Sequence, residues 1–168
     1  MKEIIRSYLE IKSIKDLIES EKPQKNLEIK KINPPDFQLN KFLYKQVGKK
    51  YYWVDRLAWS NNDWANYVNR KDLCTYVLKA ENEISGFFEL IYHKNTLEVE
   101  IAYLGLLDEF IGKKLGGYLL SEAIKISWNF NIRRVWVHTC SLDHKNALNN
   151  YFARGMKMYN NTVAKIKC

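Results

Sequence analysis

Residues 74–107, CTYVLKAENEISGFFELIYHKNTLEVEIAYLGLL, are dense in β-branched and aromatic side chains and are interrupted by ENE and HKNT, both of them turn chemistry. The pattern predicts three successive antiparallel strands. Downstream, Leu115, Leu119, Ala123, Ile126 and Phe130 keep helical spacing through KKLGGYLLSEAIKISWNF. RRVWVHT then reads as a buried strand. Ala147, Leu148, Tyr151 and Phe152 mark a second helix, which Asp143 can cap and Gly155 ends, and MKMYNNTVAKI offers a last strand or two.

Upstream the signal is weaker. SYLEIKS and LEIKKI read as short strands, separated by the break EKPQKN and followed by Pro34-Pro35. In DFQLNKFLYKQVG the residues Phe37, Phe42, Leu43 and Val47 fall at helical spacing, ended by Gly48. Residues 60–70 predict another short helix, with Ser60 and Asp63 as its capping pair and Trp64, Tyr67 and Val68 as its buried face. Strands and helices interleaved in this way predict a mixed α/β (α+β) sheet domain rather than a helical bundle.

At 168 residues and 46% hydrophobic content the expectation is one domain, with residues 1–73 as a variable elaboration and 74–168 as its core. The net charge of +8 raises the question of an anionic partner. Its lysines, such as Lys22, Lys25, Lys30, Lys31, Lys49 and Lys50, are scattered among Asn and Gln without an Arg-rich or aromatic-spaced patch. Solvated surface is therefore expected, and nucleic acid is disfavoured as a partner. Cys74, Cys140 and Cys168 show no CxxC and no paired spacing, so neither a disulfide framework nor a metal site is expected. Glu3, Arg6 and Glu10 interrupt the N-terminal apolar residues, and no run approaches the ~20 residues of a membrane span. The expectation is a cytoplasmic protein that binds no membrane; apolar strand edges would permit a homodimer.

The candidate chemistry centres on DEFIGKKLGGYLL, where Gly112, Gly116 and Gly117 stand between a strand and a helix. Bare backbone at such a junction suits an anion, because amide N–H groups and the helix dipole converge on it; a tight connection would look the same. The loop has neither the G-x-x-x-x-G-K-[ST] spacing of a P-loop nor the G-x-G-x-x-G spacing of a dinucleotide fold. Taken with the preceding EIAYLGLL and the following Ala147-x-x-x-Tyr151-x-x-x-Gly155-Met156, residues 110–120 resemble the GCN5-related N-acetyltransferase (GNAT) superfamily.

That resemblance implies a mostly antiparallel central sheet flanked by helices, with strands splayed around acetyl-CoA. The amides of Ile111, Gly112, Lys113, Lys114, Leu115, Gly116 and Gly117 would hold its pyrophosphate, and the backbone of Leu104, Gly105 and Leu106 its pantetheine arm. The chain departs from the pattern at Ile111, where Arg or Gln is usual, and at Lys114, where Gly is usual. A third departure is His144, where Asn is common; Asn146 is nearby but out of register.

Acetyl transfer needs a base for the amine and an acid for the thiolate. By the resemblance Tyr151 is the acid. Glu100 stands where some members carry a base, although a plain solvent-facing strand glutamate fits the residues equally well. On LEVEIAYLGLL, Glu98 and Glu100 are expected on one face and Val99, Ile101 and Tyr103 on the other. Glu89 is a third carboxylate that could receive a cationic substrate. Trp53 and Asp55, with Trp59, occupy the region that shapes acceptor recognition, where rings beside a carboxylate can hold an ammonium; core packing is an equal reading.

His138 and Cys140 share a strand face and are expected to border the acceptor pocket; with Asp143 and His144 they lack metal spacing. The function so implied is transfer of an acetyl group to a primary amine, on a small metabolite or amino-acid-like molecule. A non-catalytic acyl-CoA sensor, and acetylation of a protein or aminoacyl-tRNA amine, are the alternatives.

Overall fold

The computed structural model describes residues 1–166, and Cys168 lies outside them. In chain order its strands are β1 (Lys2–Ile11), β2 (Leu27–Lys31), β3 (Leu73–Ala80), β4 (Glu83–His93), β5 (Glu98–Leu106), β6 (Arg134–Cys140) and β7 (Lys157–Ile166). Its helices are α1 (Phe37–Gly48), α2 (Asn61–Val68), α3 (Leu115–Ser127) and α4 (Ala147–Ala153). The strands form one sheet in the order β2-β3-β4-β5-β6-β1-β7. All neighbours are antiparallel except β5 and β6, which the α3 crossover makes parallel. The mixed α/β class is as expected.

The order of the sheet holds one surprise. The N-terminal strand does not sit at the edge near β2 but lies between β6 and β7, with Tyr8 opposite His138 and Arg6 opposite both Cys140 and Thr162. Leu9 and Ile11 point into the core beneath α3, so Arg6, Tyr8 and Glu10 occupy the other face. The remaining strand is β7, a single strand at the edge of the sheet.

Helices cover the two faces differently. Under α3 and α4 lies the main core, in which Leu119, Leu120, Ala123 and Ile124 of α3 meet Phe88, Leu90, Val99 and Ile101. On the opposite face α1 buries Leu43 and Val47 against Val77 and Phe87, and α2 buries Trp64 and Val68 with Tyr44 of α1. Asp36 caps α1 by accepting from the amides of Gln38 and Leu39, and Ser60 with Asp63 forms the expected capping box of α2. Phe42, one of the four apolar residues at helical spacing, is 53% exposed; Asn40, Leu43, Tyr44 and Val47 carry the buried face of α1. Helix α3 stops at Ser127, so Phe130 lies beyond it, stacked on Tyr92.

A bulge in β5 revises the face assignment. Leu90 pairs with Ile101 and Glu89 with Tyr103, leaving Ala102 as the extra residue. The extra residue reverses the alternation. Tyr103 therefore leaves the Val99 and Ile101 face and packs against Tyr44 and Trp53 on the α1 side.

Candidate active site

Strands β5 and β6 pair only from Glu98–Arg134 to Glu100–Trp136 and then diverge. From Ile101 to Leu106 the β6 side of β5 has no partner strand, so its backbone edge faces an open cleft. Gly105 fits this geometry, because a Cβ there would come 2.4 Å from Val47 Cγ1 of α1. The helix packs directly on the strand backbone. The cleft has a volume of about 610 Å³, within the range of small-molecule sites, and passes through the sheet from the α3 side to the α1 side.

At one end stands the glycine loop. Helix α3 has no side-chain cap, and among the described residues the amides of Gly112, Lys113 and Lys114 donate no hydrogen bond. With the first-turn amides of Leu115, Gly116 and Gly117 they leave a run of orphan donors at the positive end of a helix dipole. Ile111 differs, since its amide is already given to the Asp108 carbonyl. Gly112 has a φ of +87°, and Lys114 a φ of +62°. Lys114 therefore holds a left-handed conformation at the position where glycine is usual, at a cost of about 1 kcal/mol. Gly117 is bare because the Arg154 guanidinium passes over it, 2.5 Å from where a Cβ would stand. Asn150 ties α4 to the loop by donating to the Gly116 carbonyl at 3.1 Å.

Tyr151 projects from α4 to line the cleft and is 8% exposed. Burial, then the Asp143 charge, push its phenol above the ordinary tyrosine range, so it stays protonated at neutral pH. His144 and Asn146 also line the cleft, joined by a hydrogen bond from the Asn146 amide to His144 Nδ1. Asp143 does not cap α4. It accepts from the Thr139 hydroxyl and the Cys140 amide, and Trp53 Nε1 donates to it at 3.4 Å. That links the end of β6 to the loop after α1.

On the α1 side the floor is made by Arg6, His138 and Cys140, and the wall by Tyr52, Trp53, Val54 and Asp55. Trp53 packs on Tyr103 with ring centroids 4.6 Å apart. His138, its ring tilted against that of Tyr8, is held below the usual histidine range by desolvation and then by the Arg6 charge; Glu100, Asp143 and Asp55 pull the other way. Burial, then Asp143, push the Cys140 thiol up, which argues against a thiolate nucleophile.

Four of the residues singled out from the sequence lie elsewhere: Lys113, Glu100, Glu89 and Trp59. Lys113 is outside the cleft lining, and Glu100 faces His93, with which it shares a hydrogen bond of 3.0 Å. Glu89 is 1% exposed behind the cleft wall and binds Arg56, whose Nη1 donates to both of its oxygens at 2.8 and 3.1 Å. The rings of Tyr67, Tyr103, Trp59, Tyr44 and Trp64 surround that guanidinium at 4.0 to 5.6 Å. A cage of rings and a carboxylate does hold a cation here, but the cation belongs to the chain. Conversely, Arg6, Tyr51, Tyr52 and Asn150 line the cleft without having been singled out. Among the described residues no cluster of acidic, His or Cys side chains could hold a metal.

Residues 28–156 match the acetyltransferase (GNAT) family, and the chain belongs to it. No curated protein sequence matches the chain. The fold is similar to a GCN5-related N-acetyltransferase from Sphaerobacter thermophilus, with a TM-score of 0.70 at 15% identity over 95% of this chain and 50% of that one. It also resembles spermidine N-acetyltransferase from Vibrio cholerae, solved with CoA and spermine (TM-score 0.63, 17% identity, covering 79% and 81%). An aminoglycoside acetyltransferase from a soil metagenome gives a TM-score of 0.63 at 15% identity, covering 78% and 88%. The chain spans only 50% of the Sphaerobacter protein and 56% of a GCN5-related N-acetyltransferase from Kribbella flavida. No helix among the described residues is long and apolar enough to cross a membrane.

Proposed function

We propose that this protein is an acetyl-CoA-dependent N-acetyltransferase that acts on a small primary amine by direct transfer within a ternary complex, in the cytoplasm. The observation that carries this reading is the run of orphan amides at the uncapped start of α3, opening on a cleft between two diverging parallel strands. These amides suit a pyrophosphate. The free edge of Leu104, Gly105 and Leu106 suits the amide groups of a pantetheine arm, and His144 and Asn146 border the same channel. Bound acetyl-CoA supplies an acetyl group already activated as a thioester.

The acceptor enters from the α1 side, between the wall of Trp53 and Asp55 and the floor of His138 and Cys140. His138 takes the amine proton, because its lowered pKa leaves it neutral near pH 7. Glu100, which lies outside the cleft lining, acts through its charge, favouring the imidazolium that results. Tyr151 keeps its proton until a thiolate develops and then donates it. The small-molecule acceptors named for the Vibrio and metagenomic enzymes support an amine of that size.

The test is thermal melting with acetyl-CoA, free CoA and ATP. A ligand at 100 times its dissociation constant adds about 2.7 kcal/mol, a rise of several degrees. A shift with both CoA ligands and none with ATP is expected, followed by thiol release with an amine panel. A shift without thiol release from any amine would favour a sensor of acyl-CoA. No shift at all would overturn the reading.

The pH dependence follows from His138. With its pKa held below the usual histidine range by desolvation and then by the Arg6 charge, kcat/KM holds down to mildly acidic pH and falls as pH drops through the His138 titration, because the imidazolium cannot accept a proton. His138→Gln should cut kcat by roughly 100-fold and remove this limb. A retained limb would assign it to another group.

A further inference from the structure

The acceptor arm of the cleft contains a cation that the chemistry above does not use. Arg6 lies on β1 in the sheet floor, opposite Cys140 and diagonal to His138, on the face shared by both. It lines the cleft, and its Nε is buried without an acceptor. By contrast, Arg134 is bridged to Glu10 and Glu98, and Arg56 to Glu89. Among the described residues Arg6 has no carboxylate within ion-pair distance. A guanidinium that is partly removed from water and has no anion is costly unless a ligand supplies one.

We propose that Arg6 receives the carboxylate of the acceptor, so that this enzyme acetylates a molecule carrying both an amine and a carboxylate, of the amino-acid class. The inference rests on the acetyltransferase reading. Arg presents a planar fork that matches a carboxylate in a bidentate way. The surroundings select a monoanion over a phosphate, because Asp55 and Asp143 also line this space and would repel a dianion. They also supply the negative field that an ammonium group prefers. Diagonal cross-strand neighbours sit about 7 Å apart at Cβ, so a carboxylate on the Arg6 fork leaves an amine within reach of His138. A polyamine lacks the anion and would place a positive charge against Arg6.

The experiment compares each of the proteinogenic amino acids with its own methyl ester, which keeps the amine and removes the charge. Thiol release from acetyl-CoA is followed for both. At least one free acid should exceed its ester by roughly 10- to 100-fold in kcat/KM, the value of a charge-assisted pair. Arg6→Gln should raise KM for that acid by a similar factor, abolish the preference of acid over ester, and keep the melting shift with CoA. Arg6→Lys should recover part of the loss.

A second readout does not depend on turnover. The CoA-saturated protein should melt higher with the N-acetyl derivative of the preferred acid than with the methyl ester of that derivative. Equal rates for every acid and its ester would overturn the proposal, as would an Arg6→Gln variant that keeps the preference. If Arg6→Gln does not fold, the acid-against-ester comparison in the unaltered protein decides. Failure of the acetyltransferase reading looks different: no melting shift with CoA and no thiol from any acceptor.

Discussion

Arg56→Ala is expected to destabilise the protein by about 3–5 kcal/mol, the usual consequence of removing one partner from a buried ion pair. Glu89 would be left 1% exposed with a full negative charge and no cation. Burial already pushes its carboxyl up, opposed first by the Arg56 charge and then by the hydrogen bonds from Arg56. The Arg56 guanidinium is held charged by the same pair, and it also donates to the Tyr67 hydroxyl at 2.6 Å. The loss is therefore the penalty of an orphaned charge, not the net worth of the pair.

The distinction is testable. Arg56→Met with Glu89→Leu removes both charges and should recover most of the stability, since apolar side chains of similar volume replace buried ion pairs at little cost. Urea denaturation of the two variants measures the difference. A single variant that loses less than about 1 kcal/mol would show that water reaches Glu89. Arg56 also fixes the acceptor wall, because its amide donates to the Tyr44 hydroxyl at 3.1 Å and Trp53, Val54 and Asp55 immediately precede it. The double variant should therefore be stable and yet show a raised KM for the acceptor.

What the sequence revealed divides along local and long-range physics. The meander of β3, β4 and β5, helix α3 and the glycine loop were legible because alternation, helical spacing and turn residues act over a few residues. Tyr151 was legible because its spacing to Ala147 and Gly155 is local too. Glu89 carries a local trace of its partner. In GFFELIYH it stands among apolar residues on both faces, and a carboxylate in such a strand needs an internal cation.

Other features had no local trace. Arg6 enters the cleft only because β1 inserts between β6 and β7, which pairs residues from opposite ends of the chain, such as Arg6 with Cys140. The bulge at Ala102 moved Tyr103 to the opposite face, and a period of two cannot show where it will skip. Asp143 has the residue type of a helix cap, but the Thr139 hydroxyl, the Cys140 amide and the Trp53 indole compete for its oxygens and win.

Tyr151→Phe is expected to lower kcat by roughly 100-fold, the low end of what a positioned general acid contributes, while leaving the affinity for acetyl-CoA unchanged. The substitution removes one oxygen and preserves the ring that packs in the core beneath α3. Tyr151 makes no side-chain hydrogen bond among the described residues, so no partner is left unsatisfied and stability should change by less than about 1 kcal/mol. A structural tyrosine would behave in the opposite way, losing stability before rate.

The leaving group sharpens the test further. A thiolate needs a proton from the enzyme, and a phenol whose pKa is raised by burial keeps its proton across the whole working range. An acyl thioester with a more acidic thiol depends less on that proton. The loss in Tyr151→Phe should therefore shrink as thiol acidity rises, measured with thioesters of graded leaving-group pKa. A uniform loss across the series would assign Tyr151 to positioning, and an unchanged kcat would remove it from the reaction altogether.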